Sequence, residues 1–303
     1  MRLEVPAPHE TFEVALEDGA RIRVRRHGRP GGVRLFIRHG NGFAIDGYLP
    51  FWQQFLIGYE VIAFDFRNHG QNVPVVPANH TYAQLSRDLE RVYQAVCARL
   101  GSRKSAGIFH SMSGRTAMKH AIEIGFRWDA LVLFDPPNVP PPGHPVHAAM
   151  EAFEARLTAF AGNRRSHYAS VEELAVEFAK SRAGRAWAPG VHELMARAVL
   201  RENPAGDGFV LVCDPANEAG IYAEAMALNL WPKASDFRGP VKLIGADPGL
   251  EGGPPTGRAN QALGTENGYD YSFVPGTGHL LQVEKPEDCA RQTLAFLGDC
   301  GLK

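Results

Sequence analysis

Polar and apolar positions alternate over residues 10–16 and again over 20–26, with Asp18-Gly19 between the two runs. Period-two alternation around Asp-Gly predicts an antiparallel hairpin. Further along, short apolar runs at 33–38, 60–64, 105–109, 129–134, 240–245 and 269–274 predict six more strands. The run at 129–134 is continuous rather than alternating, as in parallel strands covered on both faces. Helical spacing separates these runs. It is clearest over residues 81–100, where Leu85, Leu89, Val92, Val96 and Leu100 recur every three or four positions. Helices are also predicted over 48–56, from Arg115 to about residue 124, and over 287–297, where the pattern is amphipathic.

At Asp135 the rhythm breaks. Pro136, Pro137, Pro140, Pro141, Pro142 and Pro145 follow within ten residues, and proline removes backbone donors and fixes φ. From 147 to 230 the pattern reads as helical without clear strands (148–160, 171–183, 191–200 and 218–230), apart from a short extended piece at 208–212. Strands alternating with helices on both sides of an excursion this long predict an α/β architecture. The expected fold is a mostly parallel, doubly wound, eight-stranded sheet led by an antiparallel pair. Residues 1–136 and 233–303 would form the core domain, and 137–232 an inserted helical cap. No internal repeat is present.

Composition narrows the possible partners. In 303 residues, 32 Lys and Arg stand against 33 Asp and Glu, a formal charge of −1. No large single-sign field results, so neither nucleic acid nor an anionic membrane is expected as a partner. The bunched Arg21, Arg23, Arg25 and Arg26 alternate with Ile22 and Val24, which reads as the solvated face of a strand. Cys97, Cys213, Cys289 and Cys300 are scattered without a CxxC pair, as expected of reduced thiols. The first residues carry no apolar signal region and no apolar run reaches bilayer length, so a soluble cytoplasmic protein is expected. The twelve histidines show neither an HxxxH pair nor ligand spacing with cysteine, and no P-loop or GxGxxG follows the first parallel strand. No metal, nucleotide or other cofactor is expected.

Candidate chemistry lies where the parallel strands end, since open α/β sheets bind ligands beyond their carboxyl edges. After the third predicted strand stands His39-Gly40-Asn41-Gly42. After the fifth come Ser111 and Gly114, after the sixth Asp135, after the seventh Asp247, and after the eighth Gly278-His279. Strand, sharp turn with a hydroxyl at its tip, helix is the order a nucleophile elbow requires. A hydroxyl, candidate acids and a histidine thus share one rim in the chain order Ser, Asp, His.

These segments resemble the α/β-hydrolase superfamily in its capped, esterase- and lipase-like branch. Asp65-Phe66-Arg67-Asn68-His69-Gly70 is similar to the family's D-x-R-G-H-G, and His110-Ser111-Met112-Ser113-Gly114 to H-S-M-G-G. His39-Gly40-Asn41-Gly42-Phe43 sits at the oxyanion loop, and Glu284-Lys285-Pro286-Glu287 follows the histidine. The resemblance spans the first hairpin to about Pro286. It implies Ser111 as nucleophile and His279 as general base. Asp247 is the first choice for the orienting acid, because the superfamily usually carries it after the seventh strand; Asp135 is the alternative, and Glu251 lies near enough to compete. The oxyanion would be met by the backbone N–H groups of Asn41 and Met112. Asp65 and Arg67 are expected to fix the loop after the fourth strand, and His110 to be structural.

Two departures stand out. Phe109 occupies a position, two before the serine, that normally wants glycine, and Ser113 replaces glycine two after it. A register with Ser113 as nucleophile therefore stays open. Asn41 sits where haloalkane dehalogenases place a halide-binding asparagine. Those enzymes and the epoxide hydrolases use aspartate at the elbow, so dehalogenation is not expected. The implied activity is hydrolysis of a carboxylic ester or similar acyl bond of a small, fairly apolar molecule through an acyl-enzyme. Related triads also serve C–C bond hydrolysis, acyl transfer and perhydrolysis, and a non-catalytic ligand-binding member is the third reading. Cap aromatics (Phe153, Phe160, Tyr168, Phe178, Trp187, Tyr222, Trp231) read as the cap's own core or as pocket lining. Oligomeric state is not legible.

Overall fold

The alternating runs at the start form the hairpin β1 (Glu10–Ala15) and β2 (Arg21–Gly28) in the computed structural model, which describes residues 2–76 and 79–303. The turn places Gly19 at φ +84°, where a side chain would be strained. Then come β3 (Arg34–Arg38), β4 (Glu60–Phe64), β5 (Ser105–His110) and β6 (Ala130–Phe134), and after a long insertion β10 (Val241–Gly245) and β11 (Asp270–Phe273). All eight join one sheet in the order β1-β2-β4-β3-β5-β6-β10-β11, parallel from β4 onward. The loop after β4 includes Pro77 and Ala78, which lie outside the described residues.

Side-chain alternation on these strands builds two cores. On one face Leu35, Ile37, Val61, Ile108, Val132 and Ile244 pack against α1 (Leu49–Trp52) and the closing helix (Pro286–Asp299). On the other, Phe36, Ile62, Phe64, Leu131, Leu133 and Leu243 pack against α2 (Tyr82–Leu100) and α3 (Met112–Glu123). The spacing read from the sequence is the buried stripe of α2: Leu85, Leu89, Val92 and Val96 are buried, and Thr81 caps its start by accepting the Gln84 N–H. The expected helix at 48–56 is broken into 3₁₀ turns around α1.

Between β6 and β10 lie α4 (His147–Gly162), α5 (Val171–Lys180), α6 (Val191–Val199) and α7 (Pro215–Ala225). Ser170 and Asp214 cap α5 and α7. This region is not purely helical. β7 (His167–Tyr168), β8 (Leu200–Glu202) and β9 (Phe209–Leu211) form a small antiparallel sheet in the order β7-β9-β8. Only the β9 piece was legible, as part of the apolar run at 208–212; β7 and β8 hold too few apolar positions for periodicity to register. Helix α8 (Thr256–Glu266) also went unread; its sequence, TGRANQALGTE, contains two glycines and no long apolar stripe.

The arginine run divides. Arg21 and Arg23 face solvent as expected, whereas Arg25 is buried on Asp46, and Arg26 joins Arg34 on the fully buried Glu60. The reason is topological: β2 lies inside the sheet, so its far end is covered by neighbouring chain. Burial alone would raise the Glu60 pKa, but the hydrogen bonds and charges of Arg34 and Arg26 outweigh it and hold the carboxyl low. No helix of the described residues is long and apolar enough to cross a membrane.

Candidate active site

β5 ends at His110, and the chain turns sharply into α3 through Ser111, whose φ of 54° and ψ of −120° no regular element uses. The turn is held because the Ser111 N–H donates to the Phe134 carbonyl of the next strand, while its own carbonyl accepts the first helical bond from Arg115. The strain aims Oγ out of the sheet edge. There it lies 2.8 Å from His279 Nε2. On the other side of the same ring, Nδ1 lies 2.6 Å from Asp135 Oδ2. Ser111, His279 and Asp135 form one continuous hydrogen-bonded line.

The carboxylate that meets the histidine is therefore Asp135, and the expectation for Asp247 is corrected. β6 is the immediate neighbour of β5 and β10 lies one strand further out, so the residue after β6 stands closer to the elbow. Asp135 is fully buried, with φ +41°. Its other oxygen accepts from the Ala246 N–H (2.9 Å) and from Asn260 Nδ2 (2.8 Å) on α8. Burial pushes its pKa up. The hydrogen bond and charge of His279 push it down, with smaller help from Thr256 and the Ala246 amide, and the net shift is downward. Asp247 instead builds the loop that carries His279: it accepts the Gly249 N–H (2.8 Å) and the Gly276 N–H (2.7 Å), and its own N–H donates to the Thr277 carbonyl. Glu251 is exposed.

The register question is answered by Ser113. It is buried, its Oγ accepts the His110 N–H at 2.8 Å, and the hydroxyl faces the carbonyls of His110 and Arg38. Ser113 is consumed in the elbow's interior while Ser111 faces the histidine. Phe109 is accommodated by displacing the missing side chain two positions. Its ring packs edge-on to Trp128 and lies over Gly107, where a Cβ would come within 2.4 Å of the ring. The glycine that the family pattern wants at 109 is supplied at 107.

The loop after β3 approaches the elbow from the other side. A Cβ on Gly40 would stand 3.1 Å from the Ser111 Cβ, and Gly42 takes φ +73° in the turn closed by Phe43 N–H to Gly40 C=O. The N–H of Gly40 is held by the Tyr48 hydroxyl and that of Gly42 by His69 Nε2. Between them, the Asn41 N–H has no partner among the described residues, and neither does the Met112 N–H at the start of α3. Two unengaged amides thus flank Ser111. The Asn41 side chain points elsewhere, donating to the Glu218 carbonyl of α7 and tying this loop to the insertion. His39 is held neutral by burial, its pKa pushed down to about 3, and Phe66 N–H donates to its Nε2. As expected, Asp65 and Arg67 fix the loop after β4: Asp65 accepts the Ile45 N–H, and Arg67 pairs with Asp88 and Asp18.

Met112, next to the serine in the chain, packs with Phe66, Tyr82, Leu85, Ile221 and Ala225 in a buried apolar cluster shared by core and insertion. Sequence reasoning missed a buried ion pair at its edge. Arg115, one turn after Ser111, donates to Glu154 of α4 at 2.6 Å, to Tyr82 and to the Pro137 carbonyl. Glu154 is wholly buried, and burial raises its pKa in spite of Arg115. The available signal was an arginine in an otherwise small and apolar first helical turn. Of the aromatics in the insertion, Tyr168 and Trp187 are buried in a core that is continuous with one face of the main sheet, Phe160 is exposed, and Trp231 packs against the core of the other face.

Comparison with known proteins agrees with this architecture. The acetyltransferase component of the acetoin cleaving system of Cupriavidus necator is 30% identical over 125 residues, which is 41% of this chain and 32% of that protein. The chain thus spans about a third of that relative's length. Among solved structures, E-2-(acetamidomethylene)succinate hydrolase superposes with a TM-score of 0.74 at 18% identity, covering 95% of this chain and 99% of the other. A hydrolase from Pseudomonas aeruginosa gives 0.69 at 19% identity, covering 96% and 99%. Residues 35–292 match the model of the alpha/beta hydrolase family, and with the strand order and elbow above, the chain belongs to that family.

Proposed function

We propose that this hydrolase-family protein is a serine hydrolase that cleaves a carboxylic ester or a similar acyl bond of a small, fairly apolar molecule through an acyl-enzyme on Ser111. The observation that carries the reading is the unbroken line from Ser111 Oγ through His279 to Asp135, at 2.8 and 2.6 Å. A serine hydroxyl is a weak nucleophile at neutral pH and needs a base within hydrogen-bond reach. His279 Nε2 takes the proton as Oγ attacks the acyl carbon. Asp135 holds the Nδ1–H tautomer and stabilises the imidazolium. The tetrahedral oxyanion is met by the Asn41 and Met112 amides, neither of which has a hydrogen-bond partner among the described residues to give up when charge develops. Collapse expels the alcohol with the proton from His279, and water repeats the cycle to free the acid. No cofactor enters this scheme.

A fluorophosphonate probe tests it. Wild type and Ser113→Ala should be labelled and Ser111→Ala should not, with a burst of p-nitrophenol from a short-chain ester. Labelling that persists in Ser111→Ala would overturn the assignment, and an unreactive wild type would favour a binding role.

A further inference from the structure

His110 has more contacts than a space-filling residue needs. It is fully buried at the end of β5, and both ring nitrogens are engaged. Nδ1 lies 2.9 Å from the Tyr48 hydroxyl, and Nε2 lies 2.8 Å from the backbone carbonyl of His279. Proton positions in this chain are determined by its two ends. The Gly40 N–H can only donate, and it reaches the Tyr48 oxygen at 3.3 Å. The His279 carbonyl can only accept. The Tyr48 proton is then directed to His110 Nδ1, and His110 Nε2 carries the proton that meets the carbonyl. Burial and the neighbouring His279 push the His110 pKa down to about 3, so the ring stays neutral and this single tautomer satisfies every partner.

We propose that Tyr48 and His110 are positioning residues that tie the oxyanion loop to the loop carrying the general base, so that the Asn41 amide and His279 Nε2 keep a fixed separation about Ser111. The inference rests on the serine-hydrolase reading for its effect on rate, but not for its geometry. Its physical basis is that the two loops come from opposite ends of the chain, and the relay spans Gly40 to His279. The backbone amides of Gly276 and Gly278 in the base loop are held by Asp247 and Glu284, both local to that end of the chain. Packing reinforces the tie: a Cβ on Gly40 would meet His110 Nδ1 at 3.0 Å, and the His110 and His279 rings stand 5.0 Å apart. Neither Tyr48 nor His110 touches the reacting atoms. A base displaced by about an ångström loses orders of magnitude in rate, so a backbone anchor beside the base is worth having.

Two measurements on the full chain test the proposal separately from the reading it builds on. Imidazole nitrogen NMR, with the His110 signals assigned through His110→Gln, should show a neutral ring protonated on Nε2 from about pH 5.5 to 8. A ring protonated on Nδ1 overturns the relay whatever the activity. The second measurement is kcat, KM and the pH profile on a p-nitrophenyl ester, with the fluorophosphonate labelling rate. Tyr48→Phe removes one hydroxyl, and His110→Leu removes both ring contacts. Each should lower kcat and labelling about tenfold with KM little changed, and shift the acid limb of the kcat profile. His110→Gln, which keeps a donor toward the carbonyl, should recover most of the loss. The double variant should be no slower than His110→Leu alone, because the two residues act through one path. Tyr48→Phe and His110→Leu with wild-type kcat, labelling and pH profile would overturn the role, and if His110→Leu does not fold, Tyr48→Phe decides. An inert Ser111 beside the expected tautomer would sink the hydrolase reading and leave the tie between the loops standing.

Discussion

The assignment of the acid to Asp135 is the most consequential point to test, since Asp247 has the same local sequence, an aspartate before proline at the end of a parallel strand. The perturbation is Asp135→Asn beside Asp247→Asn. At position 135 one oxygen accepts from Ala246 N–H and Asn260, and the other accepts from His279 Nδ1. An amide there keeps its carbonyl on the first pair of donors and presents an NH₂ group to His279. The imidazole must then turn its lone pair to Nδ1 and its proton to Nε2, where it faces the Ser111 hydroxyl as a donor and cannot accept its proton. Loss of the correct tautomer in serine hydrolases lowers kcat by about 10⁴, which at 1.36 kcal/mol per decade is roughly 5 kcal/mol of transition-state stabilisation. Stability should change little, because the substitution also removes a buried charge. At position 247 the side chain accepts two backbone amides and touches no part of the line. Asp247→Asn can keep one of these bonds, so it should cost about 1–2 kcal/mol of stability and less than about tenfold in kcat. The assay is burst-phase ester hydrolysis with active-site titration, so that kcat is counted per folded molecule. A larger kcat loss in Asp247→Asn than in Asp135→Asn would refute the reasoning.

Three further outcomes are expected. Burial lowers the pKa of His27 to about 4 and of His39 and His110 to about 3, and pushes His69 and His80 well below their ordinary value. The unfolded chain therefore binds more protons below pH 6.5, and stability is fully present above that pH and lost as pH falls toward 4. Each such histidine contributes up to about 1.4 kcal/mol per pH unit, so urea midpoints should drop steeply between pH 6.5 and 5; a flat profile would contradict these burials. Gly107→Ala places a Cβ against the Phe109 ring and Leu131 and should cost about 1–3 kcal/mol. Most of that cost should vanish in a Phe109→Ala background, and additive losses in denaturant melts would show that the two do not share one slot. Arg115→Met leaves Glu154 buried and unpaired and should cost about 3–5 kcal/mol. Arg115→Met with Glu154→Met should cost clearly less than the two single losses combined, and hydrogen exchange in α4 should report the same order.

The sequence by itself determined the α/β architecture, the eight strands of the main sheet and the chemistry at their ends. It could do so because these features are local: period-two and period-3.6 patterns, Asp18-Gly19 in the hairpin, and Ser111 at a strand-to-helix turn. It also pointed to His279, which follows the last strand and lies between Ser111 and Asp135 in the structure. Which acid meets that base was decided only by tertiary structure. Asp135 and Asp247 are equivalent in sequence pattern, and the distinction is that β6 lies beside β5 while β10 lies one strand beyond. The same holds for Phe109, tolerated because a cross-strand space opens at Gly107, and for Ser113, whose hydroxyl turns inward to the backbone of His110. Arg25 read as part of a solvated strand face until the fold covered it. Tyr48 and His110 are 62 positions apart, and only the packing of the oxyanion loop against the elbow brings them within 2.9 Å. Local pattern records what each segment can become, whereas the choice among chemically equivalent side chains rests on distances that exist only once the strands have taken their order.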